Sequence, residues 1–347
     1  MKTSVRPGIV APGWVIAIAF LSAAGPQSVQ AQELVIHEVA QTKGSQQAPF
    51  GTINDMLEID DGRILVSDDV VGIVHAWNVE RGAVVRFARG GQGPGEVTVP
   101  SRMAARPGGG FGIYDIGASA LLLFDAQAMP ERVVRTEGGI VSNPKSLAIL
   151  RDGSFLVAGG RLTDPRHLHH YDGTGRYLGS YGDPSPFLQE RTPLIQSAGG
   201  ALRAHPEGGF LLSYGAPLRI KRFPRDSFDA PELIAEDVAV LPELREEEVY
   251  VESDRSPGPT VFRWWHDRST GVTTLPDGRI LNVITRFYSG DSIWDVYSPD
   301  GSLEVRKVVE TAFYLYGTTR DGRVLASYRD PDTDEHVAVV LEIEILK

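Results

Sequence analysis

A glycine-containing turn followed by an apolar strand recurs six times along this chain, and nothing else in the sequence constrains the fold as tightly. The copies are Asp61-Gly62-Arg63-Ile64-Leu65-Val66, Gly109-Gly110-Phe111-Gly112-Ile113-Tyr114, Asp152-Gly153-Ser154-Phe155-Leu156-Val157, Glu207-Gly208-Gly209-Phe210-Leu211-Leu212, Asp277-Gly278-Arg279-Ile280-Leu281-Asn282 and Asp321-Gly322-Arg323-Val324-Leu325-Ala326. An Asp-Gly pair supplies the positive-φ residues of a tight hairpin. The turn glycines are spaced about 44 to 70 residues apart. Each turn follows a short apolar strand, such as Ile53–Ile59 or Ser146–Leu150, and leads into an apolar strand read as alternating. A second turn comes later in each unit, after Ile73–Trp77, Leu121–Phe124, Leu168–Tyr171, Leu218–Phe223 and Ile293–Tyr297, and a closing strand such as Ala83–Phe87 or Tyr177–Tyr181 follows. Each unit therefore holds four strands, here A to D, and six such units predict six sheets around an axis.

The last unit has a third strand, Val337–Ile345, and then the chain reaches Lys347 without a fourth. A spare strand, Leu34–Val39, lies near the other end. The sequence therefore predicts an all-β, six-bladed propeller in which Leu34–Val39 completes the last blade and removes an open sheet edge. The only stretch of helical composition is the Glu-rich Pro242–Val249, read as one helical turn inside a loop.

Lys2 and Arg6 precede an apolar run, Trp14–Ala24, and Val29-Gln30-Ala31 puts small residues where a signal peptidase cuts. Residues 1–31 are thus expected to be a signal peptide, leaving residues 32–347 as one exported propeller domain, periplasmic or extracellular. The run is too short to span a bilayer, and no later apolar stretch reaches the ~18 residues a span requires. There is no cysteine, which excludes disulfides and cysteine metal sites. The net charge is −11, and −13 once residues 1–31 are removed; such a balance argues against nucleic acid and anionic membranes as partners.

The repeated Asp-Gly turns and the run Gly90-Gly91-Gln92-Gly93-Pro94-Gly95-Glu96 resemble the six-bladed β-propeller family of exported bacterial proteins related to NHL repeats. The run is similar to the Gly-x-Gly-Pro-Gly-Glu linker between two blades of that family, and Tyr181-Gly182-Asp183-Pro184-Ser185-Pro186-Phe187 resembles a degenerate second copy. The resemblance implies a fold and an exported location; it fixes no activity.

Propeller geometry places A–B and C–D turns on one face and B–C and D–A loops on the other. The A–B turns are alike. The segments 88–101, 159–167, 181–199, 236–271 and 329–336 differ in length and composition, which makes their face the expected binding surface. In the longest, Arg263, Trp264, Trp265 and His266 are candidates for stacking against a sugar ring or anchoring a peptide, with blade packing as the other reading. Polar residues near the strand-A starts should line the mouth of the central tunnel: Asn54, Asp55, Arg102, Asn143, Lys145 and Arg203. Related lactonases and lyases carry Glu, Asn, Asp or His there to hold a metal, whereas Arg102 and Lys145 would repel a divalent cation and favour an anionic ligand.

Three further clusters have both a functional and a structural reading. Gly90–Glu96 is either a backbone nest for an anion or a tight inter-blade crossing. His167 and His169 share one strand face and suit Zn²⁺ or Cu²⁺ only with a third ligand, which the sequence does not offer. Asp330, Asp332, Asp334 and Glu335 alternate as Ca²⁺ ligands do, but the glycine of an EF-hand loop is missing. No nucleophile elbow or HExxH motif occurs. The favoured expectation is a non-catalytic, cofactor-free propeller that binds a ligand, or a protein, peptide or glycan partner, through its variable top-face loops. The alternative is a lactonase-like, metal-dependent hydrolase or lyase with Ca²⁺ or Zn²⁺ at the tunnel mouth.

Overall fold

The computed structural model describes residues 32–45, 48–138, 141–161, 164, 166–184, 200–205, 208–214, 218–224, 228, 230–237, 244–251, 258–265, 267–286 and 289–346. The predicted signal segment lies outside them. Six four-stranded antiparallel sheets follow one another along the chain, and among the described residues no helix occurs. Blade 1 is Ile53–Glu58, Ile64–Asp68, Ile73–Asn78 and Ala83–Ala88. Blade 2 is Pro100–Ala105, Phe111–Asp115, Ala120–Phe124 and Pro130–Arg135. Blade 3 is Ser142–Ile149, Phe155–Gly160, Arg166–Tyr171 and Tyr177–Pro184. Blade 4 is Leu202–Ala204, Phe210–Tyr214, Leu218–Phe223 and Glu232–Asp237. Blade 5 is Asp267–Thr274, Ile280–Arg286, Asp291–Tyr297 and Leu303–Val309.

Blade 6 takes three strands from the end of the chain, Tyr314–Thr318, Val324–Arg329 and His336–Leu346, and its fourth, Glu33–Thr42, from the beginning. Leu34 pairs with Ile345, Ile36 with Ile343 and Glu38 with Leu341, and the ladder slips between Glu38 and Ala40. The predicted closure is therefore observed. Lys307 Nζ, on the last strand of blade 5, donates to the Leu34 carbonyl at 2.8 Å and ties the closing strand to its neighbour.

The strands after the six turns are not alternating. Ile64–Asp68, Phe111–Asp115, Phe155–Gly160 and Phe210–Tyr214 are buried at every residue. Each blade is sandwiched between two others, so its middle strands need apolar side chains on both faces. The outermost strands have only one covered side, and Pro130–Arg135 is exposed except at Val134. The core is correspondingly divided among the blade interfaces. Leu65, Val74 and Met103 join Phe111, Ile113 and Phe124 between blades 1 and 2. Ile53, Met56, Val66 and Trp77 meet Tyr316, Leu325 and Val340 between blades 1 and 6, so the closing interface has the same construction as the others.

The turn glycines adopt the conformation their role requires: Gly62, Gly153, Gly278 and Gly322 have φ between 80° and 88°. Asp68 and Asp115 end the second strands of blades 1 and 2 and are buried. Asp68 accepts the Gly51 and Thr52 N–H groups, and Asp115 accepts those of Thr98 and Val99. Each carboxylate thus fixes the chain as it crosses to a new first strand. The segment read as a helical turn, Pro242–Val249, instead contributes a strand, Leu244–Val251, paired with Gly258–Trp265 in a ribbon outside the blades. Glu and Arg are tolerated in such a two-stranded ribbon, and helix propensity is a weak guide over eight residues.

Candidate functional site

The first strands of the blades stand side by side around the axis, and their starts open on the face carrying the B–C and D–A loops. A solvent-open cup of about 210 Å³ lies there, lined by residues from all six blades or the segments leading into them. Its two sides differ in chemistry. Arg102, Lys145 and Arg203 project from blades 2, 3 and 4, while Ser269, Thr270, Tyr314, Ser327 and Thr52 line the side of blades 5, 6 and 1. Asn54 also lines the cup; its Nδ2 is buried and, among the described residues, has no hydrogen-bond partner.

Beneath the lining, Asp55 is 1% exposed. It accepts the Met103 N–H at 2.7 Å and the Met56 N–H at 3.0 Å. Blades 1 and 4 stand opposite each other in a ring of six, yet Arg203 Nη2 lies 3.6 Å from Asp55 Oδ1. The guanidinium therefore reaches across the axis. Its Nη1 donates to Ser146 Oγ at 2.7 Å and to the Leu202 carbonyl at 2.8 Å, which links blades 3 and 4 as well. Arg102 Nε donates to the Pro144 carbonyl at 2.7 Å. Burial pushes the Asp55 carboxyl upward, against the opposing pull of Arg203 and Arg102, and burial lowers Arg203. Tyr316, whose hydroxyl donates to the Ile53 carbonyl at 2.8 Å, completes the floor from blade 6.

Of the residues singled out from the sequence, Asn54, Arg102, Lys145 and Arg203 come together at this cup. The side chain of Asn143 lies outside the described residues, as do those of Arg263, Trp264 and Trp265; for the last three the backbone is placed in the Gly258–Trp265 strand. His266 also lies outside the described residues. Sequence reasoning missed the hydroxyl-bearing side, because the residues of blades 5 and 6 that line it, such as Ser269, Thr270 and Tyr314, carry no charge to mark them. The available signal was Tyr314-Leu315-Tyr316 just ahead of Asp321-Gly322, the same position that Ile53 and Asn54 hold ahead of Asp61-Gly62.

The other clusters have structural roles. Glu96 folds back on its own loop and accepts the Gly93 N–H at 2.8 Å and Arg89 Nε at 2.9 Å. The nest is thus filled by the chain's own carboxylate, which the Gly93 N–H and Arg89 hold below its ordinary range. His169 Nδ1 shares a 2.7 Å hydrogen bond with Ser180 Oγ, His170 Nε2 pairs with Ser154 Oγ at 3.1 Å, and His167 packs edge-on against Tyr214. All three are buried. Asp330 accepts Lys43 Nζ at 2.7 Å, and Glu335 lies 3.0 Å from the same ammonium. An ammonium from the closing segment stands where a Ca²⁺ ion would have to sit. Among the described residues no three His, Asp or Glu converge as a metal site. At the cup the side chains are two guanidiniums, an ammonium, hydroxyls, the Asn54 amide and the His336 imidazole above one ion-paired carboxylate; three cations with one carboxylate and one imidazole do not fit a divalent cation.

No family model matches the chain, and no curated protein matches it. Solved structures do. A member of the DUF4221 family from Bacteroides vulgatus superposes with a TM-score of 0.58 at 10% identity, over 90% of this chain and 99% of that one. A Bacteroides fragilis protein provisionally named as exported gives 0.57 at 11% identity, over 91% and 96%. A streptogramin B lyase gives 0.53 at 9% identity, over 90% and 98%. These neighbours are six-bladed, propeller-like proteins, and the chain shares that fold. Enzymes and uncharacterised propellers both occur among them, so the likeness carries the architecture and no activity.

Proposed function

We propose that this chain is an exported, non-catalytic binding propeller whose axial cup takes a small anion, or the anionic end group of a peptide or glycan. The observation that carries the reading is the convergence of Arg102, Lys145 and Arg203 on one face of the cup in a chain whose net charge is −11. Basic residues are outnumbered overall, so three at one opening, with the Asp55 carboxylate beneath them, create a local positive field that concentrates anions. The opposite wall of hydroxyls suits a polar ligand body. The volume, about 210 Å³, is below the ~300 Å³ at which drug-sized sites begin, so only a small group is enclosed. The loops around the rim would contact whatever extends beyond it.

A hydrolase or lyase reading, as one neighbour's name suggests, would require a base or metal at the same opening. The Asp55 carboxylate is bonded to two backbone N–H groups and paired with a guanidinium, and the His336 imidazole in the lining has no group of metal-ligating residues around it among the described residues, so binding is the reading these residues support. Export is supported by the basic and apolar pattern of residues 1–31 and by the provisional name of one neighbour. The test is a thermal-shift and calorimetric comparison of sulfate, phosphate, citrate and uncharged sugars. Anions are expected to bind, with affinity reduced at least tenfold in Arg102→Gln and Lys145→Gln. Equal responses to charged and neutral compounds, or unchanged binding in both variants, would reject the reading.

A further inference from the structure

The floor of the cup already contains an anion. Asp55 lies under the lining, opposite the incoming ligand, and its carboxylate faces the same guanidinium that a bound anion would use. The hold is incomplete. The 3.6 Å separation between Asp55 Oδ1 and Arg203 Nη2 is an ion pair but too long for a hydrogen bond. Arg203 commits Nη1 to Ser146 and Leu202, and among the described residues Nη2 has only this looser carboxylate contact. An anion entering from the open side can give Nη2 the hydrogen bond that Asp55 does not. Two negative charges then share one guanidinium in a site closed to water on the Asp55 side, and like charges at such range disfavour joint ionisation.

We propose that Asp55 is the built-in competitor for the ligand of this cup, so that anion binding and protonation of Asp55 are linked. This rests on the anion-binding reading and adds to it the residue that sets affinity. The proton comes from solvent and is returned when the anion leaves; no bond other than the Asp55 O–H is made or broken. Asp55 is placed for this by its surroundings. Arg102 faces it from blade 2, Arg203 from blade 4 and Tyr316 from blade 6, and Lys145 and His336 stand in the lining above. Protonation turns one carboxyl oxygen into a hydroxyl, weakening the backbone N–H bond it accepts and keeping the other on the carbonyl oxygen, while it removes the charge that competes for Arg203. The affinity for anions then rises as pH falls, by up to tenfold per pH unit for one linked proton.

The experiment uses sulfate, which remains a dianion throughout the range tested. Its affinity for the full exported chain is measured calorimetrically from pH 8 to pH 5. At pH 6.5 the titration is repeated in buffers of differing ionisation enthalpy to count protons taken up. We expect affinity to climb toward acid with a measurable fraction of a proton taken up per sulfate. Asp55→Asn should bind at least tenfold more tightly at pH 7.5 with a flattened pH profile, and His336→Gln should keep the wild-type slope. A flat profile with no proton uptake, in a protein whose sulfate binding is still lost in Arg102→Gln, overturns the role of Asp55 and leaves the anion site standing. Absence of sulfate binding at every pH overturns both. Should Asp55→Asn fail to fold, the proton count is repeated on His336→Gln: uptake that persists there supports Asp55, and uptake that disappears there overturns its role.

Discussion

Replacing Leu34 by alanine tests whether the two ends of the chain hold the ring together. Leu34 is 1% exposed and packs with Leu275, Trp294, Val296, Val339 and Leu341 at the interface of blades 5 and 6. Truncating a buried leucine removes its transfer energy and leaves a cavity, together about 3–4 kcal/mol in a site that collapses only partly. For a chain of this length each kcal/mol lowers Tm by roughly 2 °C, so the expected drop is about 6–8 °C. Val39 belongs to the same strand but sits at the register slip and is 41% exposed. Val39→Ala should change stability by less than about 0.5 kcal/mol. Urea midpoints and scanning calorimetry on the two variants and wild type provide the comparison. If Leu34→Ala melts within 1 °C of wild type, the closing strand is not part of the cooperative structure and the closure argument is refuted.

Further predictions concern turns, acid sensitivity and processing. Gly175 has φ +92°, and a Cβ there would fall 1.9 Å from the Arg135 carbonyl, so Gly175→Ala should lower the urea midpoint by an amount corresponding to ~2 kcal/mol or more. Burial lowers His167 and His169 to about 4. The unfolded chain, with ordinary histidines near 6.5, binds more protons in that interval, so the stability is fully present above pH 6.5 and is lost as pH falls toward 4. Denaturation midpoints should therefore decline across that window, and a flatter decline is expected in His167→Gln; an identical slope would exclude His167 as a contributor. Intact mass of the exported product should correspond to a chain beginning at Gln32, and a mass including residues 1–31 would remove the signal-peptide assignment.

Much of the architecture was legible because propeller blades repeat their punctuation. The Asp-Gly turns marked each sheet, and the missing fourth strand of the last blade pointed to the spare strand at Leu34. The cup was half legible. Arg102, Lys145 and Arg203 stood out as charges where an apolar strand begins, whereas Ser269, Thr270 and Tyr314 look like ordinary strand residues until the ring brings them opposite. The Asp55–Arg203 pair could not be read at all, since it depends on blades 1 and 4 facing each other across the axis. Composition misled at Pro242–Val249, where glutamates suggested helix and ribbon pairing prevailed.

An anion held in the axial cup is the central expectation for this protein. Bromide soaked into crystals of the protein, located by its anomalous scattering, gives the most direct test. An ordered bromide within hydrogen-bonding reach of Arg102 and Arg203, displaced by sulfate, is the predicted result. Bromide bound only at scattered surface positions, with nothing beside those two guanidiniums at saturating concentration, would contradict it.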